Sequence, residues 1–463
     1  MTRSGVDGNE PPRDPPQAAL GLRADCPERH AAAARLGAER RRLFVAGALL
    51  SLAAPLLPYL TGAWETAWFA LAAAPLPFAA RVAVFLVGVH LALAAVMLPL
   101  GYFSGYVLPR AYGLSRQPRR AWAMDWLKAT LISTALASGV AGVFLWTVAA
   151  TGPSWWWAFG LFVSAVGLAL VFVTPYVLVP LFFKMRPLAD AATAERIHAL
   201  VNRAGAPVRD VCSLDFSRRT AEANAAVIGL GRSRRVVIAD TLLAEFTAGE
   251  VDAVVAHELG HHVNRDVQRL LLGNAVLMWL GLFVASRAAP AALPGLSLPS
   301  LAYVPGYPAL LFVVEAFFLA LSPLLNWWSR RLEAGADRFA LRLTADPAAF
   351  AGAMRRIGCQ NLVELRPPRW SELLLGTHPA LYRRIAMAES ALPAPSARSD
   401  SAVSPLSPSA PSPLSAPCPP PPARPSSTAK PNDEASRGPS RETQKASRER
   451  HGSITNSAVE KNS

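Results

Sequence analysis

Residues 155–182 read WWWAFGLFVSAVGLALVFVTPYVLVPLF, twenty-eight positions without a charged side chain. A bilayer needs about 20 such residues in a helix, so this stretch predicts a membrane span. Five more stretches qualify: 43–62, 82–103, 129–150, 270–286 and 308–325. The first is interrupted by Pro55 and Pro58, and a kinked span survives where neighbouring helices satisfy the freed carbonyls. The chain has 463 residues, 52% of them hydrophobic, with a mean hydropathy of +0.25. Apolar residues gathered in such blocks predict a mainly α, polytopic membrane helical bundle rather than a large soluble core.

Positive charge gathers beside alternate ends of these blocks. Arg35 and Arg40–Arg42 precede the first, Arg110, Arg116, Arg119, Arg120 and Lys128 fall between the second and third, and Lys184 and Arg186 follow the fourth. The opposite connections carry little beyond Arg81 and Arg287 at their edges. By the positive-inside rule, both termini and residues 183–269 are expected on the cytoplasmic side of a multi-pass protein. That membrane is the inner membrane in a bacterium or the ER in a eukaryote. The net charge of +14 is explained by this topology. With no basic–aromatic interleaving and no zinc-finger spacing, nucleic acid is not an expected partner. The four cysteines form no CxxC pair, which excludes a thiolate metal site. No cleavable signal is legible in residues 1–42, so the first span is expected to act as the insertion signal.

Six regions are expected: a polar tail (1–42), spans one to four (43–182), a catalytic insert (183–269), spans five and six (270–325), a second catalytic part (326–390), and a Pro/Ser-rich tail (391–463) too poor in apolar residues to fold. Within the insert, 190–205 reads as an amphipathic helix ending at Gly205. The runs 224–230 and 235–239 read as a β-hairpin about Gly231-Arg232-Ser233. Thr247 with Glu250 forms a capping box opening a helix over 248–266.

That helix carries Val254-Val255-Ala256-His257-Glu258-Leu259-Gly260-His261, an HExxH motif. Histidines at i and i+4 share one face, so both imidazoles reach one ion, and Glu258 stands beside it as a general base. A catalytic zinc takes three protein ligands and keeps an open position. Glu333, in Ser329-Arg330-Arg331-Leu332-Glu333-Ala334-Gly335-Ala336-Asp337 after the sixth span, is the candidate third ligand. Asp337, one turn on, can orient a ligand imidazole, and the small residues at 334–336 favour close helix packing. The bland alternative for this segment is a surface helix of alternating charge.

HELGH followed by SRRLEAGAD resembles the M48 family of membrane metallopeptidases. Three further stretches resemble its CaaX prenyl protease branch: Tyr112-Gly113-Leu114-Ser115 with Asp125 and Lys128; Asn224-Ala225 through Val237-Ile238-Ala239-Asp240; and Thr377-His378-Pro379 with Arg384-Ile385. The resemblance spans roughly residues 85–390. It implies a zincin-like catalytic domain with a small sheet and one zinc ion per chain. It also implies that Asn224 and Ala225 bind substrate from an edge strand, and that His378 and Arg384 flank the metal to orient substrate or stabilise the oxyanion.

The expected activity is zinc-dependent endoproteolysis at the cytoplasmic membrane face. The expected substrate is a prenylated or otherwise membrane-associated peptide. The alternatives are a quality-control protease of the HtpX type and, in another class, a catalytically silent membrane scaffold. Glu315 and His90, ionisable groups inside spans, should face protein or water.

Overall fold

A computed structural model describes residues 27–229 and 234–392. Residues 1–26, the end of the first expected strand at 230 with the expected hairpin turn at 231–233, and the tail from 393 lie outside the described residues. In chain order the first half comprises α1 (Pro27–Leu60), α2 (Ala63–Ala72), α3 (Phe78–Tyr102), α4 (Leu108–Ala111), α5 (Arg119–Thr151), α6 (Trp155–Val173) and α7 (Val179–Phe182). The second half comprises β1 (Met185–Pro187), α8 (Ala191–Arg203), β2 (Asp210–Leu214), β3 (Ala225–Ile228), β4 (Arg235–Ala239), α9 (Asp240–Glu245), α10 (Ala248–Val263), α11 (Asp266–Ala292), α12 (Tyr307–Thr344), α13 (Pro347–Gln360), α14 (Arg369–Leu374) and α15 (Leu381–Ser390).

Five helical runs are long and apolar enough to cross a membrane: 27–60, 78–111, 119–182, 266–292 and 304–344. The sequence has six apolar stretches because the third run, 64 residues long, holds two of them. At 1.5 Å per residue it would extend about 96 Å if straight, three times a bilayer's apolar thickness. It does not run straight. Gly152 takes φ +53°, α5 and α6 pack together, and the Phe144 and Phe159 rings meet at 5.1 Å.

Leu49, Trp146, Leu168, Leu272 and Phe318 on these runs are exposed, as suits contact with lipid tails. Both Pro55 and Pro58 lie inside an unbroken α1, so the first span is continuous. It also reaches back into the stretch read as a polar tail, where Ala32, Ala33 and Leu36 pack with Leu108, Leu114 and Leu362. His90 meets protein, not lipid: Nδ1 lies 3.0 Å from Ser138 Oγ, and Nε2 lies 3.1 Å from the Tyr307 hydroxyl, joining α3, α5 and α12. Glu315, on an exposed face, accepts a hydrogen bond from Ser51 Oγ at 3.2 Å.

The four-stranded sheet has the order β1-β2-β4-β3, with β2 and β4 parallel and both outer pairs antiparallel. β4 is central and buried on both faces. Val236 and Ile238 enter the main core beneath α8, α10, α13 and α15, while Val237 joins Cys212 and Leu214 on the other face. This is the period-2 alternation of a strand with two covered sides. β3 and β4 pair antiparallel, as the hairpin reading expects, with Ala225 opposite Ile238. α8 is capped by Asp190 and stops before Gly205 at φ +63°. The Thr247–Glu250 capping box forms as read, fixing where α10 begins.

Candidate metal centre

α10 and α12 cross with almost no space between them. A β-carbon at Gly260 would lie 3.1 Å from Ala336 Cα and 3.2 Å from Ala336 O, so only glycine permits this approach. The crossing brings Glu333, one turn before Ala336, over the two motif histidines. His257 Nε2 and His261 Nε2 are 3.3 Å apart, and each lies against the Glu333 carboxylate, at 3.2 Å and 3.4 Å. Tetrahedral zinc with bonds of about 2.0–2.1 Å has ligand–ligand edges of about 3.3 Å. The three donors already stand at that spacing.

The other ring nitrogens fix the tautomers. His257 Nδ1 lies 2.8 Å from Asp337 Oδ1 and His261 Nδ1 lies 3.0 Å from Asp266 Oδ2. An N–H donated to each carboxylate leaves both Nε2 atoms as bare lone pairs aimed at one point. Glu333 Oε2 is buried there without a hydrogen bond of its own. Two lone pairs and a carboxylate in such proximity call for a cation, either a proton or a metal ion. Burial alone would keep the His257 imidazole neutral, but its contacts with Asp337 and Glu333 outweigh that and raise its pKa to about 9 in the metal-free chain. The residues present therefore fit a metal well.

Glu258, the next residue on α10, is partly buried. Burial pushes its pKa above the usual carboxylate range, against the pull of His257 and His261. His378 stands at the mouth with its side chain 57% exposed, and its Nε2 lies 3.3 Å from Glu333 Oε1. Arg384, expected to flank the metal, is buried beside His257, its Nη2 3.4 Å from His257 Nδ1. Its Nε and Nη2 donate to the two oxygens of Asp337 at 2.9 and 2.5 Å. The reason is electrostatic: Asp337 has 0% exposure, and a buried carboxylate holds its partner guanidinium in a bidentate pair.

Asn224 and Ala225 sit at the start of β3, the sheet's outer strand, which runs beside α10. Asn224 C=O accepts from Ala239 N–H at 2.9 Å. In an antiparallel pair the next residue's backbone groups turn the other way, so those of Ala225 and Val227 face the open edge. His262 Nε2 donates to Val227 C=O at 3.1 Å.

Two residues escaped the sequence reading. Asp266 reaches back to His261 because Arg265 takes a left-handed conformation, φ +58°. Asn361 brackets the residue before Asn224: its Oδ1 accepts from Ala223 N–H at 2.7 Å and its Nδ2 donates to Ala223 C=O at 2.9 Å. The only local signal for Asp266 was an acid shortly after an HExxH helix, and Asn361 had none.

Residues 187–392 match the model of peptidase family M48, and residues 22–184 match that of the CAAX prenyl protease N-terminal region with its five membrane helices. The chain is 28% identical to the uncharacterized metalloprotease YhfN of Bacillus subtilis, over 65% of this chain and 71% of that one. It is 26% identical to a CAAX prenyl protease 1 homolog of Oryza sativa, over 66% of this chain and 73% of the relative. The crystal structure of S. mikatae Ste24p shares the fold, with a TM-score of 0.71 at 21% identity, covering 78% of this chain and 89% of that one. The chain belongs to peptidase family M48, in its CaaX prenyl protease branch. It is a multi-pass membrane metallopeptidase that acts on a peptide substrate.

Proposed function

We propose that the protein is a zinc endopeptidase that cleaves C-terminally prenylated, membrane-associated peptides at the cytoplasmic face, with one ion held by His257, His261 and Glu333. One observation carries the reading: three donors at tetrahedral spacing, with both histidines locked in the metal-binding tautomer. When bound, zinc supplies Lewis acidity to the scissile carbonyl and to a water molecule, whose pKa it brings towards ~7.

The chain's own residues do the rest. Glu258 takes the proton from the attacking water and hands it to the leaving amine. The open edge of β3 at Ala225 pairs with the substrate backbone and lays the scissile bond across the site, with Asn224 beside it. His378, exposed at the mouth, donates from its ring to the carbonyl oxygen as negative charge develops there. Asp337 and Arg384 position His257, and Asp266 positions His261. The cytoplasmic face is supported by the arginine-rich ends of the spans, and the prenylated substrate by the names of the relatives.

The test combines metal content with a matched peptide pair. Purified protein should hold about one zinc per chain, and Glu258→Gln should keep the metal while losing hydrolysis. The wild type should cleave a prenylated peptide faster than the same peptide without the lipid. Full activity in Glu258→Gln would refute the mechanism, and equal rates on the two peptides would refute the substrate class.

A further inference from the structure

Beyond the end of the open strand lies a cavity of about 390 Å³ that the metal centre does not use. One wall is the membrane helix α6 and the turn that follows it, through Gly167, Val171 and Pro175. The facing wall is the end of β3, through Val227 and Ile228, together with the polar side chains of Arg234, His262 and Gln268. Thr174–Leu178 is a π-helical turn. Such a turn adds a residue to the helical circuit and bulges the helix, a distortion frequent at functional sites.

Three features constrain what enters. The helical wall is apolar and belongs to a membrane-spanning run, so a lipid chain can enter it sideways from the bilayer. The strand wall continues the edge assigned above to the peptide, so the occupant is joined to that peptide. Main-chain pairing stops at the same place, because His262 already occupies the Val227 carbonyl. What lies past that point is therefore a side group rather than more paired backbone.

We propose that this cavity seats the isoprenyl chain carried by the substrate, an inference that rests on the function proposed above and adds a residue-level location and a length limit. A cavity of about 150 Å³ admits a six-carbon benzene ring. On the same packing, the 390 Å³ of this half-open cavity accommodate about fifteen carbons, and the rest of a longer chain runs out through the open side.

Gly167 gives a clean test, because a β-carbon there meets nothing within 4 Å. A larger side chain there starts from open space at its β-carbon and extends into the cavity. Binding is measured on the full-length, zinc-loaded protein in the Glu258→Gln background, using one peptide sequence bare or carrying ten, fifteen or twenty prenyl carbons. Affinity should rise to fifteen carbons and then level off. Gly167→Leu should weaken the fifteen-carbon peptide by a factor on the order of two hundred, as expected for about four displaced carbons. The bare peptide's affinity should not change. Val171→Ala should move the plateau towards longer chains, so the proposal stays testable if Gly167→Leu fails to fold. An unchanged chain-length profile in folded variants would overturn the seat and assign the cavity to bilayer lipid, leaving the substrate class standing. Equal binding of bare and prenylated peptides by the parent protein would overturn the substrate class and the seat together.

Discussion

Gly260→Ala isolates the crossing of α10 and α12 from the chemistry it supports. The new methyl would sit 3.1 Å from Ala336 Cα, 3.2 Å from Ala336 O and 3.2 Å from Phe339 Cδ1. The phenyl ring can rotate away, but the backbone of α12 cannot. Carbon atoms prefer a separation of about 3.5 Å or more, so α12 must retreat by about 0.4 Å. Glu333 moves with it, while His257 and His261 stay on α10. Metal–ligand distances tolerate about 0.2 Å, so the displacement is about twice what the site accepts.

Overpacking costs about 1–3 kcal/mol, partly offset by about 1 kcal/mol because alanine is the better helix former. The expected signature is a metal affinity at least about tenfold lower, with a loss of metal-free stability of at most about 2 kcal/mol. Chelator competition gives the first quantity, and thermal melting of the detergent-solubilised protein with and without zinc gives the second. Wild-type metal affinity in Gly260→Ala would show that the helix crossing does not set the ligand geometry.

Asp337→Asn leaves Arg384 buried without its carboxylate and removes the anchor of His257. Metal affinity should fall about 10- to 100-fold and stability by about 3–5 kcal/mol, read by the same two assays. Asn361→Ala strips both hydrogen bonds from Ala223, leaving groups that cost about 1–3 kcal/mol each when unsatisfied. Because it loosens the approach to Asn224 and leaves the metal ligands in place, KM should rise more than kcat falls in steady-state kinetics. In the metal-free protein, the His257 pKa is raised from 6.5 to about 9. A raised value stabilises the metal-free fold fully below the unfolded value and is lost as pH rises through the folded one. At neutral pH the ion must therefore displace that proton, so zinc affinity should strengthen from pH 6.5 to 9 and then level off. Calorimetry in buffers of differing ionisation enthalpy measures the proton released.

Much of this site is written in short-range pattern. HExxH fixes two ligands through helical periodicity, the capping box fixes where their helix starts, and the small residues around Glu333 announce a close crossing. The two paired strands follow from the β-rich runs on either side of a turn. Other features depend on contacts distant in sequence. Arg384 looks like a charge on an amphipathic helix, and only Asp337, 47 positions away, makes it a buried one. Asn361 acts on Ala223 across 138 positions. The start of α1 was hidden because its buried stripe of Ala32, Ala33 and Leu36 lies among arginines. The two spans within the third helical run read as separate because the break at Gly152 divides them.

The metal centre draws its donors from both sides of a membrane hairpin, α10 preceding α11 and Glu333 following the apolar half of α12. A ribosome must finish both crossings before the carboxylate exists to close the cage. On the function proposed above, the nascent chain therefore cannot cut its neighbours until both of these crossings have been made.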